Sequence, residues 1–374
     1  MKLDKKAMEI ILARAYAVTK SAEHYGRLLT LCISKGKMSV RSWSAASQGV
    51  AISGVAVESG EDAEFVVDAG RLYSVLKKMP KAEFEMKVDA TAIKVASGRL
   101  RYSIHRPTEA DDGESQVITE PTFRVMGDDM IRALKRISPS ADTADTYGPY
   151  EGVFAKSDGG RVLLTATDRK SIAYAEFKTA TPCRSFEAIL PKEFLDFLSV
   201  FDPESFVDVQ VDDGKIMAKQ DHALIWCGLL AGQYKNLSEA TIREGVNQRG
   251  GGTSVKVEVR REDFVEMLSH VEVVADRDSM RTTLTLGNGE IEAACVGASG
   301  TCSDSCAATG DAGAAKVDMS IDSMRKVVMP LAAETITMEF FTATPVIFVE
   351  SVTDNFKAFC AGMQDRAKEI VPDI

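Results

Sequence analysis

Apolar residues recur along this chain in two alternating rhythms. One has the spacing of a helix: Met8, Ile11 and Leu12 near the start, Met130, Ala133 and Leu134 in the middle, Phe264, Met267 and Leu268 further on. That spacing gathers the apolar side chains on a single helical stripe. The other rhythm alternates every second residue, as in "FEMKV", "FVDVQV" and "ITMEFF", and predicts strands with one buried face. Turn signals separate such strands: "SKGK" from Ser34, "SDGG" from Ser157 and "GNGE" from Gly287.

The rhythms repeat as a block. "FVVDAGRLYSVLKKMPKAEFEMKV" from Phe65, "FEAILPKEFLDFLSVFDPESFVDVQV" from Phe186 and "KVDMSIDSMRKVVMPLAAETITMEFF" from Lys316 share one outline of strand, amphipathic helix, breaker and strand. Leu72, Phe194 and Met324 correspond, as do Leu76, Leu198 and Val328, and then Phe84, Phe206 and Ile336; each set steps by 122 and then 130 residues. One offset held across helix, breaker and strand predicts an internal triplication. The unit is helix, strands, helix, strands, over residues 1–120, 121–250 and 251–374, with 365–374 as a tail. It predicts an α+β fold of three repeated domains, with antiparallel sheets and helices segregated to one face.

Composition fits a soluble globular protein: 374 residues, 45% apolar and 27% charged. Chains of this length split into two or three domains. No apolar run approaches the roughly 20 residues of a membrane helix, and the charged N-terminal segment predicts an amphipathic helix rather than a signal peptide. Seven scattered cysteines (Cys32, Cys183, Cys227, Cys295, Cys302, Cys306, Cys360) without a C-x-x-C pair predict reduced thiols in a cytoplasmic protein.

The net charge of −10 is unevenly spread. The six helix segments 4–20, 68–79, 127–139, 191–201, 260–270 and 322–333 carry a net +4, leaving −14 for the rest. Acids sit in first turns, where they suit the helix dipole, and cations in later ones: Arg14, Lys20, Lys77, Lys78, Arg132, Lys135, Arg136, Arg325 and Lys326. A basic set of helices on an acidic protein can attract a polyanion to one surface. Segments 191–201 and 260–270 are net negative and weaken that reading.

Catalytic constellations are missing. His24, His105, His222 and His270 stand alone, without metal-ligand spacing. Cys302 and Cys306 lie in "GASGTCSDSCAATGDAGAA", which reads as a flexible loop and is a weak zinc signal. No glycine-rich stretch continues into the Lys-Ser/Thr of a phosphate loop, and the adjacent acids Asp111-Asp112 and Asp128-Asp129 point apart in regular structure. The expectation is a protein with no enzymatic activity, cofactor or metal.

The threefold unit and "EGVFAKSDGGRVLLTATDRKSIA" resemble the bacterial DNA polymerase III β subunit, the sliding clamp, whose second domain ends the matching hairpin in "ATDGHRLA". "FEAILPKEFLDFLSVF", "FVVDAGRLYSVLKKMP", "VASGRLRYSIH" and "VDMSIDSMRKVV" carry the outline over the whole chain.

That resemblance implies a head-to-tail dimeric ring of six domains, its hole lined by helices and occupied by double-stranded DNA held without sequence preference. The matching DNA-facing residues are Lys5, Arg14, Lys20, Arg71, Lys77, Lys78, Arg132, Lys135, Arg136, Tyr147, Arg325 and Lys326. It implies an apolar pocket where short linear motifs of DNA polymerase, clamp loader and repair proteins dock. Its residues here are Tyr150, Thr167, Asp168, Lys170, Ile172, Leu237, Met280, Cys360 and Met363. It places the homodimer interface at Tyr102 and Ile104 on one side and Val274 and Ala275 on the other.

Arg169, Lys170 and Ser171 replace the family's Gly-His-Arg, "AGMQ" replaces its terminal "MPM", and "DRAKEIVPDI" continues beyond. Those departures predict a peptide preference shifted toward acidic or differently spaced motifs. The implied location is the cytoplasm, with the nucleoid. A monomeric decoy that occupies clamp partners, or a DNA-acting enzyme, are the competing readings.

Overall fold

The ten-element order β-α-β-β-β-β-α-β-β-β occurs three times along the chain. The computed structural model describes residues 1–20, 28–44, 48–56, 62–107, 116–143, 148–235, 238–250 and 253–363. Side chains are described throughout these except at 17–20, 43–44, 48, 53–56 and 250.

The first repeat is β1 (Lys2–Asp4), α1 (Lys5–Lys20), β2 (Leu28–Ser34), β3 (Lys37–Ser44), β4 (Gln48–Ala56), β5 (Ala63–Asp68), α2 (Ala69–Lys77), β6 (Glu83–Val88), β7 (Ala92–Ser97) and β8 (Leu100–His105). The second is β9 (Phe123–Met126), α3 (Gly127–Ile137), β10 (Val153–Asp158), β11 (Arg161–Thr167), β12 (Ser171–Lys178), β13 (Glu187–Leu190), α4 (Lys192–Phe197), β14 (Phe206–Asp212), β15 (Lys215–Gln220) and β16 (Ala223–Gly228). A helix outside the pattern, α5 (Glu239–Gly250), follows. The third is β17 (Ser254–Arg260), α6 (Arg261–Glu272), β18 (Arg281–Gly287), β19 (Glu290–Gly297), β20 (Gly300–Gly310), β21 (Ala315–Ser320), α7 (Ile321–Val328), β22 (Thr335–Phe341), β23 (Val346–Ser351) and β24 (Phe356–Ala361).

Local chemistry sets the helix starts. Asp68 accepts the Arg71 N–H at 2.7 Å to cap α2, and Ser320 accepts the Ser323 N–H at 3.4 Å to cap α7. Asp128 and Asp129 fill the first turn of α3, Lys135 and Arg136 its last, as the helix dipole favours. Gly127 opens α3 where a Cβ would lie 2.7 Å from the Asp202 carbonyl oxygen, so no larger residue fits.

Contacts divide the chain into two compact units, Met1–Ile131 with Lys178–Leu230, and Arg132–Phe177 with Ala231–Ile374. In the first, sheet orders are β1-β6-β7-β8 and β5-β2-β3-β4-β16-β15-β14-β9. In the second, the order runs β10-β11-β12-β24-β23-β22-β17-β20-β19-β18-β21. Each unit thus contains a sheet that joins two repeats. The antiparallel pair β4–β16 links the first repeat to the second, and β12–β24 links the second to the third.

The helical apolar positions are core. Met8, Leu12, Leu72, Leu76, Met130, Leu134, Phe194, Leu198, Phe264, Leu268, Met324 and Val328 are all buried. Phe206 is the exception in its triple: 43% exposed, with Arg124 lying 5.2 Å over its ring, while Val207 takes the buried place that Phe84 and Ile336 hold. The strand offset therefore differs from the helix offset by one residue, and a one-residue slip turns a side chain to the opposite face.

Three other expectations are corrected. The Gly/Ala/Ser-rich stretch around Cys302 and Cys306 is not a loop but the eleven-residue strand β20, fully paired with β19 from Gly300 to Ala307. Its small side chains permit close approach: a Cβ on Gly310 would lie 2.5 Å from the Lys256 carbonyl. The segment after Tyr234, outside the six expected helix segments, contains α5. A short strand, β1, precedes the first helix and pairs with β6.

Candidate functional site

The "TDRKS" turn between β11 and β12 is organised by one carboxylate. Asp168 Oδ1 accepts the Lys170 N–H at 3.1 Å, the Ser171 N–H at 2.7 Å and the Ser171 hydroxyl at 2.9 Å. Its other oxygen, Oδ2, takes the Lys326 ammonium of α7 at 2.9 Å. Burial alone would raise the Asp168 carboxyl, but the bonds from Lys326 and Ser171 outweigh it and hold the pKa below the ordinary value. Thr167, 4% exposed, donates its hydroxyl to the Ser171 carbonyl at 2.7 Å and accepts the Arg169 N–H at 3.0 Å.

Arg169 replaces the glycine of the resembling family yet keeps a left-handed backbone, φ 68°. Its guanidinium pairs with the buried Asp142 at 3.2 Å. Lys170 is exposed, and its carbonyl accepts the Ala361 N–H at 2.8 Å. The turn is therefore clamped to the end of β24.

Strand register decides which side chains meet. Ser171 lies opposite Cys360 and Ile172 opposite Phe359. Since alternate residues face opposite sides of a sheet, Ile172 and Cys360, both expected in one pocket, belong to different faces. The Cys360 thiol is fully buried, and burial, with Asp168 nearby, pushes its pKa up.

On the Ile172 face an apolar cluster forms from Ile172, Phe341, Phe348, Phe359 and Val246 of α5, with Tyr174, Val346 and Ile242 of α5 packed against it. Phe348 and Phe359 have ring centroids 4.7 Å apart, and Arg243 of α5 lies 4.5 Å above Phe348. Arg243 also pairs with Glu339 at 3.0 Å, and Lys357 with Glu239 at 2.8 Å. Desolvation, with Glu239 nearby, drives the Tyr174 phenol up.

The other described residues expected in the pocket each have contacts of their own. Tyr150 is buried, edge-on to Tyr234 at 5.1 Å. Met280 sits before β18 with φ 47°, its carbonyl accepting the Ile321 N–H at 2.7 Å. Met363 is half-buried and donates its N–H to the Asp318 carbonyl at 2.7 Å. Leu237 lies outside the described residues. Sequence reasoning missed α5 and the three phenylalanines; Ile242 and Val246, four apart in "TIREGV", were the available signal.

The cations expected to face DNA divide into two groups. Arg71, Lys77, Lys78, Arg132 and Lys135 are exposed, Lys77 lying 4.5 Å over the Tyr73 ring. The others are half-buried: Lys5 bonds the Met79 carbonyl at 2.7 Å, Arg14 meets His222 at 3.4 Å, and Arg136 pairs with the buried Asp354 at 2.6 Å. Arg325 pairs with Glu272, and Lys326 with Asp168. The Lys20 side chain and Tyr147 lie outside the described residues. Among the described residues no group of three or more His, Cys, Asp or Glu side chains could hold a metal ion, and no helix is long and apolar enough to cross a membrane.

Among the strands that keep an open side are β8 and β20. β8 ends its sheet, paired with β7 alone among the described residues. β20 reaches β17 only through Ala308–Gly310, which leaves its residues 300–307 paired on one side among the described residues. Arg106 bonds the Thr91 carbonyl and Ala308 the Gly289 carbonyl. Antiparallel alternation then directs the N–H groups of Ser103 on β8, and of Thr301 and Ser303 on β20, outward. Beside β20, Val273 is 81% exposed at the end of α6 and Val296 78% exposed on β19. The expected interface residues Val274, Ala275 and Tyr102 are half-buried, and Ile104 is buried in its own domain.

A family model described as "DNA polymerase III beta subunit, central domain" matches residues 124–236. The beta sliding clamp of Streptomyces coelicolor is 28% identical over 144 residues, 38% of this chain and 38% of that protein. The beta sliding clamp homolog GriR of Streptomyces muensis is 24% identical over 238 residues, 62% of this chain and 61% of the relative. The matched stretches thus span less than two thirds of either relative's length. Among solved structures, the Pseudomonas aeruginosa sliding clamp bound to griselimycin aligns with a TM-score of 0.85 at 16% identity, over 97% of this chain and 99% of that one. The Bacillus subtilis sliding clamp aligns with a TM-score of 0.83 at 16% identity, over 97% and 98%. Likeness at that identity establishes the fold.

Proposed function

The chain is a divergent member of the DNA polymerase III β-subunit family, and from that premise we propose that it is a sliding clamp: two copies close into a ring around duplex DNA. The observation that carries this is the pairing rule between repeats. The third strand after the first helix of one repeat pairs with the last strand of the next: β4 with β16, then β12 with β24. Applied once more, the rule asks β20 to pair with the last strand of a following repeat, and β8 to pair with the third strand of a preceding one. A second copy satisfies both demands, twice over, and the assembly closes. Outward N–H groups on each strand are otherwise an invitation to uncontrolled pairing.

Within such a ring the exposed Arg71, Lys77, Lys78, Arg132 and Lys135 supply sequence-independent phosphate attraction. Retention by encirclement needs no tight site, so this modest set suffices. The protein is non-enzymatic in this reading, works in the cytoplasm on the nucleoid, and recruits polymerase, loader and repair proteins through the region of the "TDRKS" turn.

The test is topological. Protein loaded by a clamp loader onto a nicked circular plasmid should stay with the DNA through gel filtration at high salt, and should be lost when the plasmid is cut once. Equal loss from circle and line contradicts encirclement. A protein that stays monomeric and never enters the DNA fraction is instead a decoy for clamp partners.

A further inference from the structure

The face of β12, β24, β23 and β22 that carries Ile172 is covered by the chain itself. α5 presents Ile242 and Val246, one helical turn apart, to Ile172, Phe341, Phe348 and Phe359, and lays Arg243 across Phe348 at 4.5 Å and Phe359 at 5.7 Å. Two polar ties fasten it: Arg243 to Glu339 at 3.0 Å and Lys357 to Glu239 at 2.8 Å. We infer that this face is a docking surface whose resident occupant is α5. Partners reach it by displacing α5 with a segment of the same chemistry, two apolar side chains one turn apart with a cation beside them. The identity of those partners rests on the docking role proposed above; the occupancy by α5 does not.

Three observations support a displaceable occupant. α5 stands outside the ten-element repeat, so no sheet depends on its hydrogen bonds. Among its described residues Val246 alone is buried, with Ile242 and Arg243 half-buried, whereas the helices of the repeat bury two or more each. Its sequence holds Gly245 and Asn247, poor helix formers that leave its helicity dependent on the surface beneath.

The required cation follows from what α5 would leave behind. Glu339 is 15% exposed and holds Arg243 and the Ser254 hydroxyl, at 2.7 Å. Removing Arg243 strands a largely buried carboxylate and uncovers two aromatic faces, both of which a Lys or Arg of the incoming segment satisfies. An acidic segment would face Glu339 unpaired. This differs from the acidic preference expected from Arg169 and Lys170, because Arg169 is already paired with Asp142.

The test uses the full chain and a fluorescein-labelled peptide of residues 238–250. Titrated into wild type, the peptide competes with the resident helix. Titrated into Ile242→Ser/Val246→Ser, or into Arg243→Glu, whose folding is less exposed to the loss of apolar contacts, it meets a loosened one. The expected result is binding at least tenfold tighter to either variant than to wild type, and at least tenfold weaker when the peptide itself carries Arg243→Glu. Equal affinity for wild type and both variants, absence of binding to all three, or indifference to the charge reversal in the peptide would each overturn the inference. None of these outcomes bears on ring closure or on DNA retention, which stand or fall by the circular-plasmid experiment.

Discussion

Asp168 shows how one side chain can both shape a turn and tie it to a distant helix. One oxygen orders Lys170 and Ser171; the other holds Lys326. The carboxylate is only 7% exposed and its partner 33%, so this is a charge-assisted bond worth about 1.5–3 kcal/mol rather than a surface pair. Asp168→Ala should lower stability by about 2 kcal/mol in urea unfolding. Because the folded-state pKa lies below the unfolded one, this stabilisation is full above about pH 4 and is lost as pH falls through the folded value. The wild-type melting temperature should therefore fall more steeply below pH 4 than that of Asp168→Asn. Parallel curves would remove Asp168 from the acid response.

Arg169 is a contrasting case. A non-glycine residue in the left-handed region costs about 1–2 kcal/mol, while its guanidinium serves the buried Asp142, whose loss of that partner costs about 1–3 kcal/mol. The two effects oppose each other, so Arg169→Gly should shift stability by no more than about 2 kcal/mol in the same unfolding assay. Arg169→Ala, which keeps the strain and loses the pair, should be the less stable of the two variants. The turn itself was legible from "TDRKS", and so was Ile172 as an apolar neighbour. That Ile172 and Cys360 face opposite ways was not, because the register Ser171–Cys360 joins residues far apart in sequence and no local pattern encodes it.

Elements with long, strongly periodic stripes were the legible ones. α1, α2, α3 and α6 fall within two residues of their expected bounds because tertiary burial acts on the same stripe the sequence displays. β20 was hidden by its composition: small residues give little apolar contrast, yet they are what close packing beside β17 requires. α5 was hidden for the opposite reason, having weak intrinsic helicity and two anchors that acquire meaning only over the phenylalanines of other strands.

The open sides of β8 and β20 carry a prediction at this scale. Val273 and Val296 are solvent-exposed in one chain. Substituting both by Asp should change the unfolding free energy by less than about 0.5 kcal/mol each, while shifting a dimer toward monomer in sedimentation velocity. Unaltered association would take these valines out of the interface.

For the whole molecule, charge and repetition point the same way. The chain is acidic overall, −10, but five exposed cations stand on α2, on α3 and just past the end of α2. Reversing Lys77, Lys78, Arg132 and Lys135 to Glu should weaken DNA association at least about tenfold at low salt and flatten its salt dependence, with melting temperature unchanged. Persistence of the wild-type salt slope would move the DNA-facing surface elsewhere.

Ring closure is the claim on which the rest depends, and the chain mass of 40.5 kDa makes it directly measurable. Light scattering on wild type should give twice that mass at micromolar concentration. A variant carrying Ser103→Pro, which removes an outward N–H of β8 while sparing its bonds to β7, should give the single-chain mass with its fold intact by circular dichroism. A wild-type protein at the single-chain mass, or a Ser103→Pro protein still at the doubled mass, would contradict closure through β8 and β20.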